Sequence, residues 1–168
     1  MVAYTFVEAK SPEQRRLPWD QMQTEGLAHA VLWHKADPTF IDWLAGINPA
    51  QAICGLGYNG TTLAGAVWVS PVMGLCGCIH FCIFDSARAD WCNLGSQAIA
   101  WLFDLRPLAS LAAIFPANYG HVARAAKAWG FSFSPLRLPM ACHMPTKNNP
   151  SRCRDAIVAT LRREDFVR

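Results

Sequence analysis

The chain has 168 residues, 52% of them hydrophobic and 16% charged, with 7 Trp and 9 Phe; this excludes intrinsic disorder and fits one domain, residues 1–168, with a core of its own. A formal charge of +3 is too small to point to nucleic acid, and the basic residues near the end (Arg137, Lys147, Arg152, Arg154, Arg162, Arg163, Arg168) read as a solvated face. The 7 cysteines are an odd number, and the start Met-Val-Ala-Tyr has no basic-then-apolar leader, so we expect no secretory signal and a reducing, cytoplasmic setting.

In chain order, residues 3–9 alternate as a strand, and the polar stretch to Pro18 reads as a loop. Met22, Leu27 and Val31 give helical spacing between Trp19 and Trp33, and residues 37–46 read as a second helix capped by Asp37, with Pro38 in its first turn and Gly46 at its stop. "AICGLGY" and "TLAGAVWVS" flank Asn59-Gly60, a strong two-residue hairpin signal. A third strand, "CGCIHFCIF", follows a turn at Ser70 to Gly74. No Asp, Glu, Lys or Arg lies between Trp43 and Phe84, but Pro71, Gly74 and His80 interrupt the run and no basic cluster flanks it, so buried strands are expected there and not a membrane span.

Leu94, Ala98, Trp101, Leu102 and Leu105 then form one helical stripe. "LASLAAIF" (108–115) reads as a buried strand. The next helix is capped by Asn118, packs Val122, Ala125, Ala126 and Trp129 inward, and stops at Gly130 with Phe131 folding back. Residues 154–166 fit either a helix or a strand with a tail. The order predicts an α/β (α+β) fold: a mixed, mostly antiparallel central sheet with helices on both faces, in which strands 78–84 and 108–115 run parallel through a right-handed crossover.

If Asn93 caps the helix after the third strand, the amides of Leu94, Gly95 and Ser96 face outward and suit a phosphate, with Gly95 allowing close approach. Cys76, Cys78, His80 and Cys82 alternate along one strand at roughly 6.5 to 7 Å, which does not converge on a tetrahedral metal, so no metal site is expected. They read as core side chains; a Cys–His hydrolase would need a nucleophile-bearing turn that the sequence does not offer.

The order of elements, the segment "NLGSQAIAWLF", the strand ending in "PAN" and the helix ending in "WGF" resemble the GNAT superfamily of acyl-CoA-dependent N-acyltransferases over roughly residues 50 to 135. The resemblance implies a V-shaped gap between two parallel strands that takes the pantetheine arm of acetyl-CoA against the backbone of Ile79, Phe81, Cys82 and Ile83. It also implies that Asn93, Leu94, Gly95 and Ser96 surround the pyrophosphate; Asn118 stands at the mouth of the following helix on the same crevice, and Arg88 supplies a cation there if Asp90 points away. Two departures stand out. Asp90 and Asn93 occupy positions where the family has Gln or Arg and Gly, and Ala126 stands at the general-acid Tyr position.

The implied activity is acetyl transfer from acetyl-CoA to a primary amine by direct attack, supported by positioning. His80 is the candidate base and Tyr119 the candidate acid; His34, His121, Asp85 and Asp37 are weaker alternatives. A binding or accessory protein of the same fold, without turnover, is the alternative reading. The partners expected are an acyl-CoA and an amine acceptor, without nucleic acid or membrane, and a homodimer is compatible with the sequence.

Overall fold

The computed structural model describes residues 2–167, the side chains of residues 71–73 excepted. The first strand, β1 (Thr5–Glu8), leads into α1 (Pro12–Thr24), α2 (Ala28–Val31) and α3 (Phe40–Gly46). A meander of β2 (Ile53–Asn59), β3 (Thr62–Met73) and β4 (Cys76–Ile83) follows. A 3₁₀ helix at Asp85–Asp90, α4 (Trp91–Leu105), β5 (Ser110–Pro116) and α5 (Gly120–Ala128) come next, and β6 (Ser132–Phe133), β7 (Leu138–His143) and β8 (Cys153–Arg162) complete the order.

The strands form one sheet in the order β1-β2-β3-β4-β5-β8-β6, with β7 also on β8. Every pairing is antiparallel except β4 with β5. The period of two sorts the side chains into two cores. Val67, Val69 and Ile79 pack under α4 and α5 with Ile99, Leu102 and Trp129. Cys54, Ala66, Trp68, Cys82 and Phe84 face α1 to α3 with Trp19, Met22 and Trp43. The expected mixed sheet with helices on both faces is therefore observed. Among the described residues, no helix is long and apolar enough to cross a membrane.

Several local expectations change. The stretch before Pro18 is helix: Ser11 and Gln14 form a reciprocal capping box and Pro12 sits at the helix start, where a missing N–H costs nothing. That helix ends at Thr24 instead of running to Trp33. The cap of α3 is Thr39, paired reciprocally with Asp42, in place of Asp37. The segment 154–166 is mainly strand, because β8 is inserted between β5 and β6. The Asn59-Gly60 hairpin and the stop at Gly130 are observed, both glycines at positive φ (58° and 85°).

Buried Arg15 fastens the first helix to the sheet. Its Nε donates to the Ala9 carbonyl at 2.9 Å and its Nη2 to the Ala52 carbonyl at 3.0 Å, while Trp43 Nε1 donates to its backbone carbonyl at 2.7 Å.

Candidate functional site

The two parallel strands part company along the sheet. They pair only through Cys76 with Ser110, Gly77 with Leu111 and Cys78 with Ala112. Beyond that point β4 remains bonded to β3 as far as Ile83, and β5 remains bonded to β8 as far as Pro116. The divergence is therefore held open from both outer sides and is not fraying. The Cys78 thiol, next to the Ile114 backbone, marks the apex. Past it, the facing edges of β4 and β5 no longer bond one another, and such edges recognise an extended, amide-bearing ligand as they would another strand.

Side chains on β4 alternate about this gap. Ile79, Phe81 and Ile83 lie on the side of α4 and α5. His80 and Cys82 lie on the other. The His80 ring stacks on Trp68, with centroids 5.3 Å apart and planes 8° apart, and burial holds its pKa down to about 4, so the ring is neutral near pH 7. Burial pushes the Cys82 thiol up to about 12, which leaves it a core side chain rather than a nucleophile.

The expected diphosphate cradle is a correction. The 3₁₀ helix at Asp85–Asp90 runs directly into α4, which starts at Trp91. Leu94, Gly95 and Ser96 are thus its fourth to sixth residues, and their amides donate within the helix instead of facing outward. Asn93 is no cap: its Nδ2 donates to the Val2 carbonyl at 2.8 Å and to Asp90 Oδ2 at 2.7 Å. Asp90 also accepts from the Tyr4 hydroxyl at 3.0 Å, turned toward the N-terminal segment. Leu94 is buried with Ala64 and Ala87. Arg88 is ion-paired with Asp85, and the Asp85 amide is itself given to Glu25 Oε2 at 2.9 Å.

Gly95 has a different reason to lack a side chain. A Cβ there would overlap the indole of Trp129, which also donates from Nε1 to the Cys92 carbonyl at 3.0 Å. Phe81 and Trp91 complete the group, with ring centroids 4.7 and 5.9 Å from that of Trp129. A pantetheine-like arm fits the edges of the gap. A diphosphate on the amides of Leu94 to Ser96 does not fit. Sequence reasoning missed this aromatic group; its only signal was a tryptophan immediately before the Gly130 stop.

Across the mouth of the gap, α5 begins at Gly120 with Tyr119 in the cap position and no side-chain cap, so Asn118 lies exposed in the preceding turn and does not cap. The Tyr119 hydroxyl donates to the Ala30 carbonyl at 3.4 Å, and burial raises its pKa, keeping it protonated. Tyr119 also lines a cavity of about 360 Å³ with Trp33, Lys35, Met144, Lys147 and Arg152. His34 packs edge-on to Trp33 with centroids 5.7 Å apart, its pKa lowered mainly by burial. His121 is exposed beside Tyr119, with centroids 5.3 Å apart, and Asp37 is exposed. The structure thus sets His80 on β4 against Trp68 and Tyr119 three residues past the end of β5, and leaves Arg88 and Asn93 engaged elsewhere.

No protein-family model and no curated protein sequence matches the chain. Solved structures do match along nearly its full length. Spermidine N-acetyltransferase from Vibrio cholerae, in complex with CoA and spermine, superposes with a TM-score of 0.76 at 10% identity, covering 98% of each chain. A probable acetyltransferase of the GNAT family from Chromobacterium violaceum gives 0.75 at 17% identity, covering 97% of this chain and 89% of the other. The ribosomal-protein-S18-alanine N-acetyltransferase from Escherichia coli gives 0.69 at 14% identity, covering 99% and 96%.

Proposed function

Because the chain has the fold of the GNAT acetyltransferases, we propose that it binds an acyl-CoA, acetyl-CoA in the first instance, and transfers the acyl group to a primary amine. The observation that carries this reading is the parting of β4 and β5 after Cys78 and Ala112 while each keeps its outer partner. That leaves inner strand edges of the length and polarity an amide-bearing pantetheine arm requires. When bound, an acyl-CoA supplies a thioester carbonyl as electrophile and a thiolate as leaving group.

The residues have these roles. The backbone of Ile79, Phe81 and Ile83 holds the arm; that of Cys82, expected to join them, faces β3 instead, since the Phe84 amide two residues on bonds the Ala64 carbonyl and the Cys82 carbonyl lies against Gly65. His80, neutral and fixed flat on Trp68, takes the proton that the attacking ammonium must lose; its low pKa makes it a weak base, so it works on an amine already brought close to neutrality. Tyr119 keeps its proton and stands at the carboxyl end of β5. It gives a proton to the departing sulfur once it leaves the long bond to Ala30, and recovers the second proton that the nitrogen sheds as the amide forms. The C–N bond forms, the C–S bond breaks, and the amide and free thiol are the products. With the Leu94–Ser96 amides closed, the diphosphate lies outside that turn, toward solvent, and the arm contributes most of the binding.

A second reading is favoured by a specific observation. Trp129 against Gly95, together with Ala126 at the position of the missing acid, suits a protein that retains the fold and binds without turnover. Thermal unfolding separates them from each other and from no binding at all. A ligand of the native state raises the melting temperature, by about 2–4 °C for each kcal/mol of binding in a chain of this size. A rise with both CoA and acetyl-CoA, and CoA release when an amine is added, supports transfer; a rise without release supports the second reading; no shift at millimolar CoA removes both.

A further inference from the structure

Resting on the transferase reading, we infer that the acceptor amine also carries an oxyanion, a carboxylate or a phosphate, bound in the cavity beside Tyr119. The cavity of about 360 Å³ is lined by Lys35, Lys147 and Arg152, with Trp33 and Tyr119 as aromatic walls, and no Asp or Glu is among its lining residues. Only one of these cations has an acid partner among the described residues: Lys35 Nζ is 2.7 Å from Asp42 Oδ1. Arg152 Nε is buried without a hydrogen-bond partner among the described residues. A guanidinium N–H withdrawn from solvent and left unbonded is costly unless a ligand accepts from it, and a planar oxyanion matches the guanidinium fork.

The position suits an acceptor. Tyr119 follows β5 by three residues, so the cavity lies past the carboxyl end of that strand, the end that no longer pairs with β4. Trp33 adjoins His34, with ring centroids 5.7 Å apart. In this placement the anionic end of the acceptor lies near Arg152 and Lys147 and its amine on the side of Tyr119, past the end of β5. The same cations repel a polyamine.

The test uses the whole chain and four small probes: β-alanine and O-phosphoethanolamine, which pair an amine with a carboxylate or a phosphate, and ethanolamine and spermidine, which have no anion. Calorimetric titration, with and without CoA, should show binding of one or both anionic probes and none of the other two at the same concentration. Which anionic probe binds more tightly identifies the oxyanion. Arg152→Met, and independently the exposed Lys147→Gln, which does not endanger folding, should each weaken that binding about tenfold. Equal binding of ethanolamine, tighter binding of spermidine, or unchanged affinity in Lys147→Gln and a folded Arg152→Met overturns the inference. A chain that binds the anionic probes but shows no response to CoA would sink the transferase reading and leave the anion site standing.

Discussion

The Trp129 indole lies flush against Gly95 and donates from Nε1 to the Cys92 carbonyl, 3.0 Å away, fastening the end of α5 to the first turns of α4. Glycine at position 95 therefore serves helix packing and not anion approach. Gly95→Ala should destabilise the chain by about 1–3 kcal/mol, as overpacking does in a tight core, despite alanine's better helix propensity. Chemical denaturation measures it; a stabilised variant would mean that the indole moves aside freely.

Buried Arg15 gives a second prediction. Arg15→Met keeps the side chain's bulk but removes the donors to the Ala9 and Ala52 carbonyls. Equilibrium unfolding should show a loss of about 2–4 kcal/mol. A change within about 0.5 kcal/mol would show that those carbonyls find other donors.

His80 ties stability to pH. Its folded pKa, about 4, lies below the ordinary histidine value of 6.5, so the unfolded chain binds the proton more readily. The contribution is fully present above pH 6.5 and is lost as pH falls toward 4. At about 1.4 kcal/mol per unit, reduced because the ring retains some solvent contact, this is on the order of 2 kcal/mol. His34, shifted the same way, adds to it. His80→Phe, which retains a ring against Trp68, should flatten the curve between pH 6.5 and 4; an unchanged curve would assign the pH dependence to other groups.

Tyr119→Phe separates chemistry from packing. Its hydroxyl makes one long bond, 3.4 Å, to Ala30, so stability should change by less than about 1 kcal/mol. If the hydroxyl returns the proton to sulfur, kcat should fall about a hundredfold or more with little change in KM. Unaltered kcat would remove Tyr119 from the chemistry.

Local signals in the sequence located what they govern. Asn59-Gly60 marked the hairpin, the change from period two to a helical stripe at Leu94 marked α4, and Gly130-Phe131 marked the end of α5. The parallel pair followed from the crossover, and the gap within it from the resemblance alone. The first helix was obscured because Pro12 and Pro18 look like breakers, although Pro12 occupies the one turn that tolerates it. β8 was ambiguous because Ile157, Val158 and Leu161 suit either period. The cap at Asn93 was misread for a long-range reason: Val2, 91 residues away, captures its side chain. Trp129 against Gly95 is likewise a contact between distant positions that no local pattern encodes.

The central claim is that the inner edges of β4 and β5 beyond Cys78 and Ala112 receive an amide-bearing arm. Backbone hydrogen exchange with and without saturating CoA tests it most directly. The account predicts new protection at those amides of residues 79–83 and 113–116 that face the gap, with the outer ladders to β3 and β8 unchanged. Exchange in both segments unaltered by CoA, at a concentration where CoA binds, would contradict it.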